Sequence, residues 1–470
     1  MKAVRVETDS LGKVEVPADA YWGAQTQRAV DNFPISGIRM PRRIIRALGL
    51  VKKASAEVNR DRGQLDSKIA GAVISAAQEV MEGKLDEQFP LDIFQTGSGT
   101  STNMNANEVI ANRAAEILGF ERGAKKVHPN DHVNKGQSSN DVIPSVIHIA
   151  ALEGIERDLL PALRRLSQAL ERKAQSFDGI VKVGRTHLMD AVPIRLGQEF
   201  SGYAAQAALG VRRIEACRER LAELALGGTA VGTGLNAPAG MAEAVIGRMA
   251  KETGLPLRQA ANLFEAMGGK DAVVETSGAL KTVACSLFKV ANDIRWLGSG
   301  PRCGLGELVI PDLQPGSSIM PGKVNPVMSE MLRMVCAQVI GNDAAIAVGG
   351  LSGDFELNVM MPGMAHNLMQ SIDILARGAA TFAERCVEGL EADRRRCEEM
   401  IERSLMMVTA LAPKIGYDAS AKLAQEAHRT GRTVRELALE RRLLPEAELN
   451  RLLDPRRMTE PGTGPGGGGS

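Results

Sequence analysis

A chain of 470 residues is too long for one small core, and 44% hydrophobic with 24% charged residues is the composition of a globular protein, not of a disordered or fibrous one. A formal net charge of +1 gives no bulk attraction for nucleic acid or an anionic membrane, so any anion site must be built locally. Only 3% of residues are aromatic, which leaves Leu, Ile, Val, Ala and Met for the core and favours helices packed on helices. Cys217, Cys285, Cys303, Cys336, Cys386 and Cys397 are scattered without a CxxC pair. That scatter argues against a disulfide framework, structural zinc or an iron–sulfur cluster, and fits reduced thiols in a cytoplasmic enzyme. The segment MKAVRVETDS has no apolar stretch of the signal-peptide kind, and no run reads as long enough to cross a membrane.

In chain order, residues up to about Gln137 mix loops with helices. Short β-like runs punctuated by Gly and Pro fill VRVETDSLGKVEVPADAYWG, and helical patterns follow at Ile44 to Asn59 and Asn103 to Leu118. Leu152, Ile155, Leu159, Leu163, Leu166 and Leu170 then recur at steps of three and four, the helical period, with Pro161 inside the pattern where it should kink the helix. Further helices are expected over Arg195 to Leu224, Val273 to Leu297 and Val327 to Val348. The second of these carries a heptad seam of Leu280, Val283, Leu287, Val290, Ile294 and Leu297. The third is apolar on most faces through Met331, Leu332, Met334, Val335, Val339, Ile340 and Ile346, so it must be covered, within an oligomeric bundle more readily than in a monomer. After about Met361 the helices shorten; Arg394 to Arg396 read as a solvated basic face, and the closing PGTGPGGGGS cannot pack. These shifts divide the chain into a mixed, mostly helical part (1–137), a helical bundle (138–360), a small helical part (361–458) and a disordered Gly-rich tail (459–470).

Four polar clusters fall where helices are expected to begin: TGSGTSTNMNANE (Thr96 to Glu108), GQSSND (Gly136 to Asp141), GRTHLMD (Gly184 to Asp190), which precedes a helix expected near Pro193, and GSSIMPGKVNP (Gly316 to Pro326). A helix start presents free N–H groups and partial positive charge, and Ser, Thr or Asn there can cap the helix or hold an anion. One such cluster is ordinarily a cap; four point to a convergent carboxylate site. GSSIMPGKVNP combines Gly freedom with Pro stops, as a lid does, and holds Ser317, Ser318, Lys323 and Asn325. Elimination β to a carboxylate needs a base for the proton next to that carboxylate, and donors for the aci-carboxylate that forms. Lys323 and Asn325 suit the donor role, and a serine can be the base only if many donors stabilise its alkoxide. His187, in the third cluster, has the pKa range to protonate a leaving hydroxide directly or through water, and Glu330 could orient it. HPNDHVN (His128 to Asn134) reads as a turn without metal-ligand spacing, and TAVGTGLN (Thr229 to Asn236) is not a dinucleotide fingerprint.

Together these segments resemble the fumarase/aspartase superfamily, most closely the class II fumarate hydratases, over nearly the whole chain. The resemblance is carried by QTGSGTSTNMN, HPND, QSSND, GRTHL, SGPRCG, GSSIMPGKVNP, FELNV and IGYD. It implies a mainly α, three-domain fold around a long five-helix bundle, and a homotetramer with a twenty-helix core whose active sites are each shared by three subunits. It implies reversible hydration of fumarate to (S)-malate without metal or organic cofactor. Ser317 would take the C3 proton of malate, and His187 with Glu330 would form the acid half through an activated water. Ser98, Thr100, Ser138, Ser139, Asn140, Thr186, Ser318, Lys323 and Asn325 would hold the carboxylates and the aci-intermediate. His128, Pro129, Asn130 and Asp131 would match a second dicarboxylate site. Met189, where fumarases carry Gln, departs from the pattern, and Ala191 to Pro193 and His132 lean toward the aspartases, whereas Ser139, SGPRCG and FELNV lean toward the fumarases. Aspartate ammonia-lyase and a non-catalytic structural protein on the same fold remain the alternatives.

Overall fold

The computed structural model describes residues 3–461. Most of the Gly-rich tail and the first two residues of MKAVRVETDS lie outside the described residues. Strands among the described residues are confined to two-stranded pairs; helices make up the rest of the regular structure. The chain divides into two compact units, Met1–Pro161 with Val211–Ala284 and Val335–Arg377, and Ala162–Gly210 with Cys285–Met334 and Gly378–Ser470.

The first unit opens on an antiparallel hairpin, Val4–Asp9 with Gly12–Pro17. Arg5 fastens the chain that leaves it, donating to the carbonyls of Pro17, Ala20 and Trp22 and to Glu7. The helix Ala24–Asn32 has no side-chain cap of its own. Its end is satisfied from a distance by Glu108, whose buried carboxylate receives the N–H groups of Gly23, Gln25 and Thr26. The last residue of the first polar cluster therefore serves the fold. The helix Arg42–Asp61 exceeds its expected span by two residues at each end and packs along Ser67–Met81, which Asp66 caps through Lys68 and Ile69 N–H.

The long helices form as the apolar periods require. Leu152, Ile155, Leu159, Leu163, Leu166 and Leu170 are all fully buried, as is nearly all of the Leu280–Leu297 seam. The break expected at Pro161 takes the form of a π-turn, Ile155–Leu159, between the helices Ser139–Gly154 and Leu160–Ser176. A proline cannot donate to the carbonyl four residues back, and a widened turn just before it accommodates that loss. The helix expected over Arg195 to Leu224 instead ends at Ala216, and a single turn, Arg218–Leu221, follows. Polar pairs tie neighbouring helices within the first unit: Ser277 and Lys281 of Asp271–Leu297 both donate to Asp343 of Val327–Leu351, and Asn342 donates to Gln370 and Ser371 of Met361–Arg385.

The helix Val327–Leu351 corrects one expectation from sequence: with a mean hydropathy of 1.4 over its most apolar stretch, it is long and apolar enough by composition to cross a membrane. Its buried Asn342 and Asp343, bonded to the adjacent helices, give it a packing role. Only one face is covered in the protomer, by Leu332, Cys336, Val339 and Ile346. Met334, Ala337, Gly341, Ala344 and Val348 lie exposed at alternating steps of four and three.

In the second unit the segment expected to precede a helix near Pro193 is a β-hairpin, Val181–Thr186 with Met189–Arg195; the helix starts only at Leu196. Val181, Val183, Val192 and Ile194 supply the β-branched residues that fit paired strands, with Val183 and Pro193 buried, and the polar cluster sits at the hairpin tip rather than at a helix start. The base of the hairpin is held in two ways. Val183 packs with Ile401, Val408, Leu411, Leu437 and Leu449 of the C-terminal helices. Fully buried Glu307 grips Arg185 through two bonds of 2.9 and 3.0 Å and lies 3.4 Å from the ammonium of Lys182, itself buried. Thr459, placed in the tail by composition, is ordered against the same hairpin: Arg195 donates to its hydroxyl and Gln198 to its carbonyl. Removing Glu307 would strip Arg185 of its counter-charge and leave buried Lys182 with Glu199 alone, 3.3 Å away. Glu307→Ala should therefore cost about 3–5 kcal/mol of stability, read by chemical denaturation, whereas Arg395→Ala, at an ion pair with Glu399 that is exposed on both sides, should cost under about 1 kcal/mol.

Candidate active site

The first two clusters lie in the first unit and are brought together there. Gly99 caps the helix Thr100–Ile117 in a left-handed conformation, φ 72°, and so turns Ser98 back on Thr100, their hydroxyls 2.9 Å apart. The chain can make this approach only with glycine at 97, because a Cβ there would lie 1.6 Å from the carbonyl oxygen of Val359. Ser138 caps Ser139–Gly154 in a reciprocal box with Asp141, and the amide of Asn140 reaches the carbonyl of Ala230. Asn103, buried in the first helix, donates to the hydroxyl of Ser139 at 3.1 Å and to Asn134 at 3.2 Å. One amide thus joins both helix starts.

The HPND segment is a π-turn, Pro129–Val133, capped by the ring of His128, whose Nδ1 accepts the N–H groups of Asn130 and Asp131. His128, Pro129 and Asn130 line a cavity of about 390 Å³ together with Lys125 and the carboxylates of Glu7, Asp9 and Glu108. His132 accepts the N–H of His128 through Nδ1, and burial holds its pKa below the ordinary histidine range.

The other two clusters belong to the second unit. Thr186 pairs with Met189 across a two-residue turn, and both turn residues, His187 and Leu188, have positive φ (57° and 62°). That is the hairpin turn for which Asn-Gly is preferred; a histidine and a leucine there each hold about 1–3 kcal/mol of strain, of the kind found where geometry serves function. His187 is exposed, and among the described residues nothing bonds to its ring. Glu330 is likewise exposed in the first turn of Val327–Leu351 and does not meet His187 by a bond within the protomer.

The loop Gly316 to Pro326 is closed on itself. Gly316 N–H donates to the carbonyl of Lys323, the Asn325 amide donates to the carbonyl of Gly316, and the Lys323 ammonium donates to the Asn325 oxygen at 2.6 Å. A Cβ at Gly316 would lie 2.8 Å from Asn325, so closure requires glycine. The Ser317 hydroxyl oxygen accepts two backbone N–H groups, from Ile319 at 3.2 Å and Met320 at 2.9 Å. Those donors are oriented to stabilise negative charge on Ser317. Ser317 itself is half-buried, while Ser318, Ile319, at 83% exposure, and Met320 are exposed.

Several residues that organise the site were not singled out from sequence. Lys52, wholly buried on Arg42–Asp61, donates to the amide oxygens of Asn134 at 2.8 Å and Gln137 at 3.0 Å. It therefore ties HPND to the Ser138 helix start. Asp141, also wholly buried, completes the Ser138 cap and receives Gly227 and Thr229 N–H, which fixes the Thr229 loop beside it. Burial raises the Asp141 carboxyl to about 6 and pulls the Lys52 ammonium down to about 7, each partly opposed by the charge of the other. A lysine inside the run LGLVKKASA was the available signal, since an apolar helix face rarely buries a cation without a purpose. His148, half-buried with its Nδ1 on the carbonyl of Glu223 and held down to about 4 by desolvation, is by contrast a neutral structural histidine. Because the folded pKa of Lys52 lies below its unfolded value of 10.5, above about pH 7 the unfolded chain holds a proton that the folded one has shed, and stability rises with pH. The thermal midpoint should climb as pH increases from about 7, and the climb should be weaker in Lys52→Met.

Comparison with known proteins gives these segments a context. A family model described as a lyase matches residues 12–341, and one described as the fumarase C C-terminus matches residues 407–460. Fumarate hydratase class II of Ralstonia nicotianae is 58% identical over 93% of this chain and 95% of its own. Fumarate hydratase class II 2 of Bradyrhizobium diazoefficiens is 56% identical over 98% of each. The crystal structure of class II fumarase from Schistosoma mansoni superposes with a TM-score of 0.94 at 42% identity, covering 98% of this chain and 100% of that one. Near-complete coverage in sequence and in fold, with every quoted motif inside the matched span, makes this chain a member of the class II fumarate hydratase family.

Proposed function

We propose that the protein catalyses the reversible, stereospecific hydration of fumarate to (S)-malate, by anti addition and elimination through an aci-carboxylate. The observation that carries the mechanism is the pair of backbone N–H groups on the Ser317 oxygen, within a loop that also holds an ammonium and an amide. In the malate direction, Ser317 takes the C3 proton, and the electron pair moves onto the adjacent carboxylate. Lys323, Asn325 and Ser318 balance the added charge. Collapse of the aci-carboxylate expels the C2 hydroxyl, which leaves as water after taking a proton from the acid half, His187 acting through a water with Glu330 as its partner. Ser98 and Thr100, Ser138, Ser139 and Asn140, and Thr186 hold the carboxylates; the first five stand at helix starts, where an anion is favoured. No cofactor enters these steps. His128, Pro129, Asn130 and Asp131 would form a second dicarboxylate site, for which Lys125, lining the same cavity as the first three, is the available cation.

The working assembly is a homotetramer in which each active site takes residues from three subunits. Support comes from the uncovered seam of Val327–Leu351, from the exposed Leu188 and Met189 at the hairpin tip, and from the absence of any bonded partner for His187 and Glu330 among the described residues of one protomer. Six unpaired cysteines fit a cytoplasmic setting.

Malate should generate fumarate, seen as a rise in ultraviolet absorbance, and aspartate should not; the opposite result would make the enzyme an ammonia-lyase. Ser317→Ala should lower kcat by about 10²–10⁴-fold with little change in KM, and His187→Asn should lower kcat and flatten the pH–rate profile. Light scattering should give four chains for the native protein and fewer for Val348→Glu, with activity lost in step.

A further inference from the structure

A second polar cavity, in the first unit and away from every residue assigned above, is walled by guanidinium groups. Its volume is about 370 Å³, and it is lined by Arg42, Arg43, Arg46, Arg157 and Arg377 against only two carboxylates, Glu153 and Asp373. The arginines come from three elements: the first turns of the helix Arg42–Asp61, the π-turn Ile155–Leu159, and the helix Met361–Arg385.

Internal pairing leaves this wall short of negative charge. Glu153, 2% exposed, is shared by Arg46 at 2.7 Å and Arg157 at 2.8 Å. Arg43 takes Asp158 at 2.5 Å and Asp373 at 2.8 Å, and Arg42 is held by Asp86 and by the carbonyls of Val80 and Met81, with its Nη1 buried and unbonded. Arg377 is exposed, and among the described residues it has no ion-pair partner. Each guanidinium carries five N–H groups, so most donors on this wall remain free. The placement also opposes the helix dipole. Arg42 and Arg43 occupy the first turn of their helix, where no acidic residue is present and where cations are disfavoured. Five cations gathered around a hollow, two of them at the positive end of a helix, outnumber the four carboxylates that pair with them, Glu153, Asp373, Asp158 and Asp86.

We propose that this cavity binds a small polyvalent anion of the phosphate class. Guanidinium forks arriving from three elements present donors in several directions. A tetrahedral oxyanion can meet them with separate oxygens, whereas a carboxylate presents a single edge. Two of the three elements lead to the catalytic segments: Arg42–Asp61 carries Lys52, and the π-turn continues the helix that starts at Ser139. A bound anion would cross-link both to Met361–Arg385 and stiffen the framework behind Ser138 to Asn140.

The test is calorimetric titration of inorganic pyrophosphate, and separately of inorganic phosphate, into the full-length enzyme with malate in excess to occupy the carboxylate-binding residues. Saturable binding is expected, tighter for pyrophosphate. Affinity should fall about tenfold or more in Arg377→Ala and in Arg157→Ala, since each loses a charge-assisted contact. Arg377 is exposed and unpaired, so its variant should keep native folding and native turnover without added anion. The proposal is overturned if the native enzyme shows no saturable binding, or if both variants bind as the native enzyme does. Because the comparison is between native protein and variants at this cavity, it stands or falls separately from the identity of the substrate.

Discussion

Polar groups carried into a protein interior must find their partners there, and the segments proposed to form the active site hang on that constraint. Lys52 is the clearest instance. It is fully buried on its helix, meets no carboxylate within hydrogen-bonding distance among the described residues, and is satisfied by the amide oxygens of Asn134 and Gln137. Asn103 uses its two donors on Asn134 and Ser139, and Asp141 uses its oxygens on Ser138, Gly227 and Thr229. Loops that would otherwise wander are held by the bonds these buried donors and carboxylate oxygens require. Glu307 does the same for the hairpin of the second unit, where it gathers Lys182 and Arg185 onto one carboxylate.

Much of this was legible in the sequence because local physics dictated it. The leucines from 152 to 170 and the seam from 280 to 297 repeat at helical spacing and are buried as the period demands. Ser138 and Gly316 to Pro326 announced their turns through residue types that few other conformations favour. The hairpin around His187 was misread because its strands are short and a polar cluster before an apolar run looks the same whether a helix or a strand follows. Pairing between Val181–Thr186 and Met189–Arg195 depends on a Gly bulge and on packing against residues after 400, which no window of sequence contains. The buried network around Lys52 was missed for a related reason. Its members are spread from 52 to 229, and only folding makes them neighbours.

The helix Val327–Leu351 illustrates how composition can mislead on environment. Apolar residues on most of its faces satisfy the requirements of a bilayer, of a protein core and of a subunit contact alike. What separates these is the placement of the few polar groups. Asn342 and Asp343 point to bonded partners on neighbouring helices, and the exposed face is made of small residues interspersed with Met334 and Val348. Small residues at heptad spacing allow another helix to approach closely, which is the geometry of a protein partner rather than of lipid tails.

Under the acid role proposed for His187, the His187–Leu188 turn has a consequence for the economy of the reaction cycle. A histidine on a long loop would be confined anew each time substrate arrived, and that loss of freedom would be subtracted from binding. On a two-residue turn with both φ angles positive, the backbone of His187 has almost no freedom left to lose. The ordering cost is met once, when the chain folds, from the surplus stability of the hairpin base. Natural variation at the tip is then free to retune the chemistry of the presented side chain, while the scaffold that aims it stays unchanged.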